Sequence, residues 1–209
     1  MRRAVTVAAA ACLLVGPTAL AFTTGGFPTE PRLIAAIATW LLVLLVAIAG
    51  PSPLPRGTPA RLALAGLTAL TVWTAISASW APVAGTAMED AERLALYTGA
   101  LLLAATVLTE PRLLRATEPA LAAGSVIVIG YGLAGRLLPG ILELARSRSA
   151  GGRLEQPITY WNGEGALAAV GLLLCAPSPF QYVIGCSSRP PALRERASSR
   201  IPGRSRPAA

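Results

Sequence analysis

Residues 153–175 read RLEQPITYWNGEGALAAVGLLLC: an arginine, a short polar lead-in, and a Tyr-Trp-Asn step into an apolar run. Tyr160 and Trp161 carry the amphipathic rings that favour a membrane–water boundary, with the ring in the apolar layer and the polar tip in the wet one. Asn162 is suited to a helix N-cap, because its side-chain oxygen can accept from an orphan backbone N–H. The stretch therefore reads as the entry of a membrane helix, with the Arg153 guanidinium just outside it. If 160–176 is such a helix, the other apolar runs of similar length belong to the same class.

Composition agrees. Hydrophobic residues make up 54% and charged residues 13%, with mean hydropathy +0.58. A soluble domain carries about 25% charge. Only helices and closed barrels satisfy the backbone in lipid, and the apolar runs here are helix-length. The expected fold is all-α: a polytopic transmembrane helical bundle of about six spans, N-terminus inside, followed by a disordered basic tail. The formal charge is +8, and all 18 basic residues are arginine. They lie between apolar runs rather than on one compact face, so nucleic acid is not the expected partner and the lipid bilayer is. Cys12, Cys175 and Cys186 are too scattered for a disulfide framework or a zinc cluster, and neither metal nor cofactor is expected.

Taken in order, the spans fall near residues 4–22, 33–49, 62–80, 94–108, 120–138 and 160–176. The first follows Met1-Arg2-Arg3, and Ala19-Leu20-Ala21 resembles a signal cleavage site. An uncleaved helix is favoured, because further spans follow. Pro51, Pro53, Pro55 and Pro59 break the chain after the second span, and Trp80-Ala81-Pro82 stops the third. Residues 81–93 form an acidic stretch expected outside the membrane. Arginines test the layout. Arg2, Arg3, Arg56, Arg61, Arg112, Arg115 and the six of the tail fall inside; Arg32, Arg93, Arg146, Arg148 and Arg153 fall outside, with Arg136 at a helix end. The bias favours N-in, C-in in the cell membrane.

The segment 177–209 is dense in Pro, Ser and Arg and lacks helical periodicity. Two readings stay open: a disordered basic cytoplasmic tail, or an apolar pattern cut mid-helix and continued in a wrong reading frame.

Three features compete for chemistry. Val126 to Ile129 followed by Gly130-x-Gly132-x-x-Gly135 matches the dinucleotide fingerprint, with Glu155 beyond it. Pro139-Gly140 breaks the helix that would hold a pyrophosphate, and small residues at helix–helix contacts explain these glycines better. Glu164 lies one turn into the last span, where the positive end of the helix dipole favours a carboxylate; a structural role is expected. Arg146, Arg148 and Arg153 could present planar donor forks to phosphate oxygens or simply touch lipid headgroups. For Arg153 both readings stay open; for the other two the second is favoured.

Arg153-Leu154, Pro157, Tyr160-Trp161-Asn162 and Ala166-Leu167-Ala168-Ala169 resemble a segment of the O-antigen ligase/polymerase family, most closely of the actinobacterial type. Ser79-Trp80-Ala81-Pro82, then Ala87, Arg93 and Tyr97, are similar to that family's tryptophan-proline turn before a helix. The resemblance covers most of residues 62–175, the N-terminal half of that fold. It implies a glycosyltransferase that takes a polyprenyl-pyrophosphate-linked glycan outside the membrane, with Arg153, Tyr160 and Asn162 at the substrate. The family's further spans, and its large external loop often carrying a histidine, are not matched; this sequence has no histidine. The expectation is a truncated ligase-like protein, inactive unless another chain supplies the missing half. The alternative is a small non-enzymatic multi-pass scaffold or assembly partner in envelope biogenesis. A transporter is disfavoured, since no span carries a mid-membrane charge.

Overall fold

The computed structural model describes residues 2–49, 55, 57–138, 154 and 156–175. Six helices account for nearly all of them: α1 (Arg2–Ala21), α2 (Thr29–Ala49), α3 (Thr58–Ser77), α4 (Ala84–Val107), α5 (Pro111–Leu137) and α6 (Trp161–Cys175). A single 3-10 turn, Thr24–Gly26, joins α1 to α2. The described residues contain no strand, and the fold is an all-α membrane bundle. Four helices (α1, α2, α3 and α5) are long and apolar enough to cross a membrane.

The runs are helical because they are built from alanine and leucine, the residues that lose least on entering a helix. Prolines mark starts: Pro59 and Pro111 open α3 and α5, where a missing N–H costs nothing. Pro17 and Pro119 lie inside α1 and α5, and so deprive the carbonyls of Leu13 and Arg115 of their usual intrahelical donors. After Ser77 the chain tightens. The N–H groups of Trp80 and Ala81 both donate to the Ser77 carbonyl, at 3.1 and 2.9 Å, before Pro82 ends the turn.

The acidic stretch 81–93 is more helical than hydropathy suggests, since α4 begins at Ala84. Arg93 pairs with Asp90 and Glu89, three and four residues earlier. Such same-face ion pairs support a helix whose side chains are too polar for lipid. The helix thus projects beyond the apolar run that follows it.

Helix α4 packs between α3 and α2; α1 touches α2, α4 and α5; α5 carries α6. Ala9, Ala10, Leu103 and Val107 form the buried centre, with Leu13, Leu42 and Val46 around it. Few other side chains are enclosed. Leu44, Leu45 and Ile48 of α2 and Leu172 and Leu173 of α6 stand exposed, the last two at 73%. In water such a surface would drive aggregation; in a bilayer it meets its solvent.

Polar bonds tie the helices where apolar contact gives little preference. The Trp40 indole donates to the Ala95 carbonyl at 3.2 Å, and the Thr71 and Thr98 hydroxyls lie 3.0 Å apart. Two ion pairs between elements mark opposite ends of α4, one near its start at Glu92 and one just past its end at Glu110. Arg3 and Glu110 meet at 4.0 Å at one. Arg32 and Glu92 meet at 2.9 Å at the other. The first is called the Arg3 end below, the second the Arg32 end.

Candidate functional site at the Arg32 end

The turn between α1 and α2 sets the geometry. Thr24, Gly25 and Gly26 take positive φ, and the chain reverses within a few residues. A Cβ on Gly25 would lie 2.8 Å from Ile158 Cγ2, so the segment leading into α6 rests directly on this turn. Phe22 and Tyr131 meet edge to face at 5.1 Å, joining the same turn to α5. The entry of α6, the start of α2 and the polar half of α4 therefore converge at one end.

Tyr160 and Asn162 are both exposed there, Tyr160 at 54%. The Asn162 amide donates to the Tyr160 hydroxyl at 3.0 Å. This corrects the expected N-cap. The helix starts at Trp161, the Glu164 N–H donates to the Tyr160 carbonyl, and Asn162 already lies in the first turn. Its side chain points back to the phenol instead of closing the helix. Arg153 lies outside the described residues, as do Arg146, Arg148 and Glu155; of the three expected site residues, Tyr160 and Asn162 are brought together.

Glu164 is more deeply placed than its position near a helix start suggests. It is 2% exposed, and among the described residues its carboxylate has no hydrogen bond of ordinary geometry, only the approach of the Ile158 backbone. Gly132 of α5 faces it: a Cβ there would lie 3.2 Å from Glu164 Oε1 and would collide with the Gln156 carbonyl oxygen. The glycine run 130–135 is thus continuous helix within α5, with Gly132 and Gly135 buried and Gly130 open to the surroundings. It holds no strand-to-loop phosphate cradle.

Two arginines expected as outside charges, Arg93 also as part of the tryptophan-proline motif, prove central. Arg32 is 2% exposed at the start of α2. Its Nη1 donates to the Phe27 carbonyl at 3.1 Å, and its Nη2 donates to Glu92 at 2.9 Å and, at 3.5 Å, to the Thr29 hydroxyl. Its Nε has no acceptor among the described residues. The Arg93 guanidinium stands 5.2 Å from the centre of the Phe27 ring, a cation–π distance. Between them is a cavity of about 270 Å³ walled by Arg32, Arg93, Tyr97, Phe27, Leu20 and Leu96. A lone arginine at the head of an apolar run was the available signal for Arg32, because an ionisable group in such a place needs a partner. Nothing local in sequence identifies Glu92, 60 positions away, as that partner.

Comparison with protein-family models, with curated proteins and with solved structures returns no match for this chain.

Proposed function

We propose that this chain crosses the cell membrane several times with the Arg32 end outside, and that this end engages the head of a polyprenyl-pyrophosphate-linked glycan. In this reading it is the front part of an O-antigen ligase-like glycosyltransferase. Binding is proposed here, and turnover is left to groups that the resemblance places beyond residues 62–175.

One observation carries the reading. The α6 entry, with its exposed phenol and amide joined at 3.0 Å, is seated on the Gly25 turn rather than left as an isolated loop. A held pair of one hydroxyl and one amide offers donors and acceptors at fixed spacing, which suits sugar hydroxyls or phosphate oxygens. Arg153 precedes this segment in sequence, and guanidinium groups would stabilise a leaving pyrophosphate electrostatically. The arginine bias of the connecting segments supports the orientation.

The scaffold reading has one observation of its own. An apolar cleft of about 380 Å³ lies between α5 and α6, bordered by Ser125, Ile129, Gly130, Gly171 and Leu172, where another membrane helix could lie.

A binding measurement separates the two. Purified protein in lipid nanodiscs is titrated with a fluorescent polyprenyl-pyrophosphate-linked sugar. Saturable binding, weakened by Arg153→Ala and by Asn162→Ala, is expected. Folded protein that binds no carrier above empty nanodiscs would leave the scaffold reading in possession.

A further inference from the structure

The cavity at the Arg32 end has a chemistry distinct from that of the α6 entry. From α4 the cavity is lined by Arg93, Leu96 and Tyr97, and just outside it the half-exposed carboxylates of Glu89 and Asp90 pair with Arg93. At 1.5 Å rise per residue, the acidic pair stands about 5 Å beyond Arg93, and Tyr97 about 6 Å below it. Arg32 approaches from α2 at the level of Arg93, and Leu20 closes the wall from α1. The sequence of groups, from the tip of α4 inward, is negative, positive, phenolic, apolar.

Charge decides what fits. Two guanidiniums (Arg32, Arg93) face three carboxylates (Glu89, Asp90, Glu92), a net excess of one negative charge. A multiply charged anion such as a pyrophosphate is opposed by that balance. A ligand with one phosphodiester and one ammonium is not, provided its ammonium meets the outer carboxylates. Donors remain for the phosphodiester: Arg32 Nε has no acceptor among the described residues, and a guanidinium has five N–H groups. The volume of about 270 Å³ lies just below the ~300–1,000 Å³ of small-molecule clefts, room for a headgroup and not for acyl chains.

We propose that this cavity seats the headgroup of a zwitterionic phospholipid bearing a primary ammonium, of the ethanolamine type. The phosphodiester accepts from Arg32 and Arg93, the ammonium donates to Glu89 and Asp90, the ester region faces Tyr97, and the acyl chains leave over Leu20 and Leu96. The order along α4 is then the order of a lipid from water to hydrocarbon. A trimethylated ammonium has no N–H to give the carboxylates, and a glycerol headgroup has no positive charge, so both fit less well. The inference rests on the membrane placement proposed above and not on the glycan carrier.

The test uses the full chain in detergent micelles, with lipid retention read by native mass spectrometry and stabilisation by thermal unfolding. Phosphatidylethanolamine is expected to bind roughly tenfold more tightly than phosphatidylglycerol or phosphatidylcholine. The double change Glu89→Gln with Asp90→Asn should erase that preference while leaving phospholipid bound. Arg93→Gln should weaken all phospholipids together, and Tyr97→Phe, at an exposed position, serves if Arg93→Gln fails to fold. Soluble glycerophosphoethanolamine should give no shift. Equal binding of the three lipids overturns the proposal, and so does a shift of the same size with the soluble headgroup. Carrier binding in nanodiscs is scored separately, so loss of the glycan reading and loss of this one cannot be confused.

Discussion

The Arg32–Glu92 pair shows how one residue fixes the relation of two helices. Arg32 is almost wholly enclosed while Glu92 keeps some contact with the surroundings, so the arginine bears most of the desolvation. Truncating Glu92 to alanine leaves that guanidinium buried without its countercharge, and a loss of about 3 kcal/mol is expected. Chemical denaturation in detergent measures it. Replacing both partners together, Arg32→Met with Glu92→Leu, should recover most of the loss, because an apolar pair of similar volume carries no charge to desolvate. Glu164 predicts the opposite sign. Its carboxylate is enclosed with only the Ile158 backbone approaching it, so desolvation outweighs that contact and the neutral amide of Glu164→Gln should leave stability unchanged or raise it by about 1 kcal/mol. A clear destabilisation would mean that a cation or donor holds the carboxylate. Asn162→Ala, at an exposed position, should change stability by no more than about 0.5 kcal/mol. Any fall in carrier binding by that variant therefore reports on the site and not on the fold.

At the level of elements, α5 holds two glycines one half-turn apart with contrary demands. Gly130 has open space where a Cβ would go, whereas a Cβ on Gly132 would run into the Gln156 carbonyl oxygen. Gly130→Ala should stabilise the protein by up to about 1 kcal/mol through helix propensity. Gly132→Ala should destabilise it by 1 kcal/mol or more, about the cost of overpacking a close contact. Thermal unfolding of the two single variants, side by side, checks both signs. Hydrophobic periodicity makes the glycines legible as helix-packing residues, but it cannot tell which of them faces a neighbour. The same limit explains α4: its charges at 89–93 look like loop until their partners are known, and pairing along the helix lets α4 begin at Ala84. Asn162 misleads in the other direction, since a good capping residue lost its place when Trp161 became the first helical residue. Tyr160 and Asn162 were legible as boundary residues. The Arg32–Arg93 cavity was not, because it joins α1, α2 and α4 through contacts between distant positions.

For the whole molecule, the thin core and the apolar exterior follow from a change of solvent. With lipid outside, little side-chain burial is needed, and helices are held by a few polar bonds, close glycine contacts and the cluster around Leu103 and Val107. What lipid does not supply is direction, which the charges between helices must set. Arg2, Arg3, Arg61, Arg112 and Arg115 lie at or near the Arg3 end, and in the proposed orientation the positive-inside bias would put that end in the cytoplasm. Against them the sequence places Arg32, Arg93, Arg146, Arg148 and Arg153 at the other end, and since carboxylates count little in the bias, the orientation calls for a direct test. Fusions of a periplasm-active phosphatase and a cytoplasm-active fluorescent protein after residues 27, 55, 83 and 110 test this. Phosphatase activity is expected after 27 and 83, and fluorescence after 55 and 110. The reverse pattern would place Tyr160 and Asn162 in the cytoplasm, where an externally presented glycan could not reach them, and would turn the arginine cavity toward the inner leaflet.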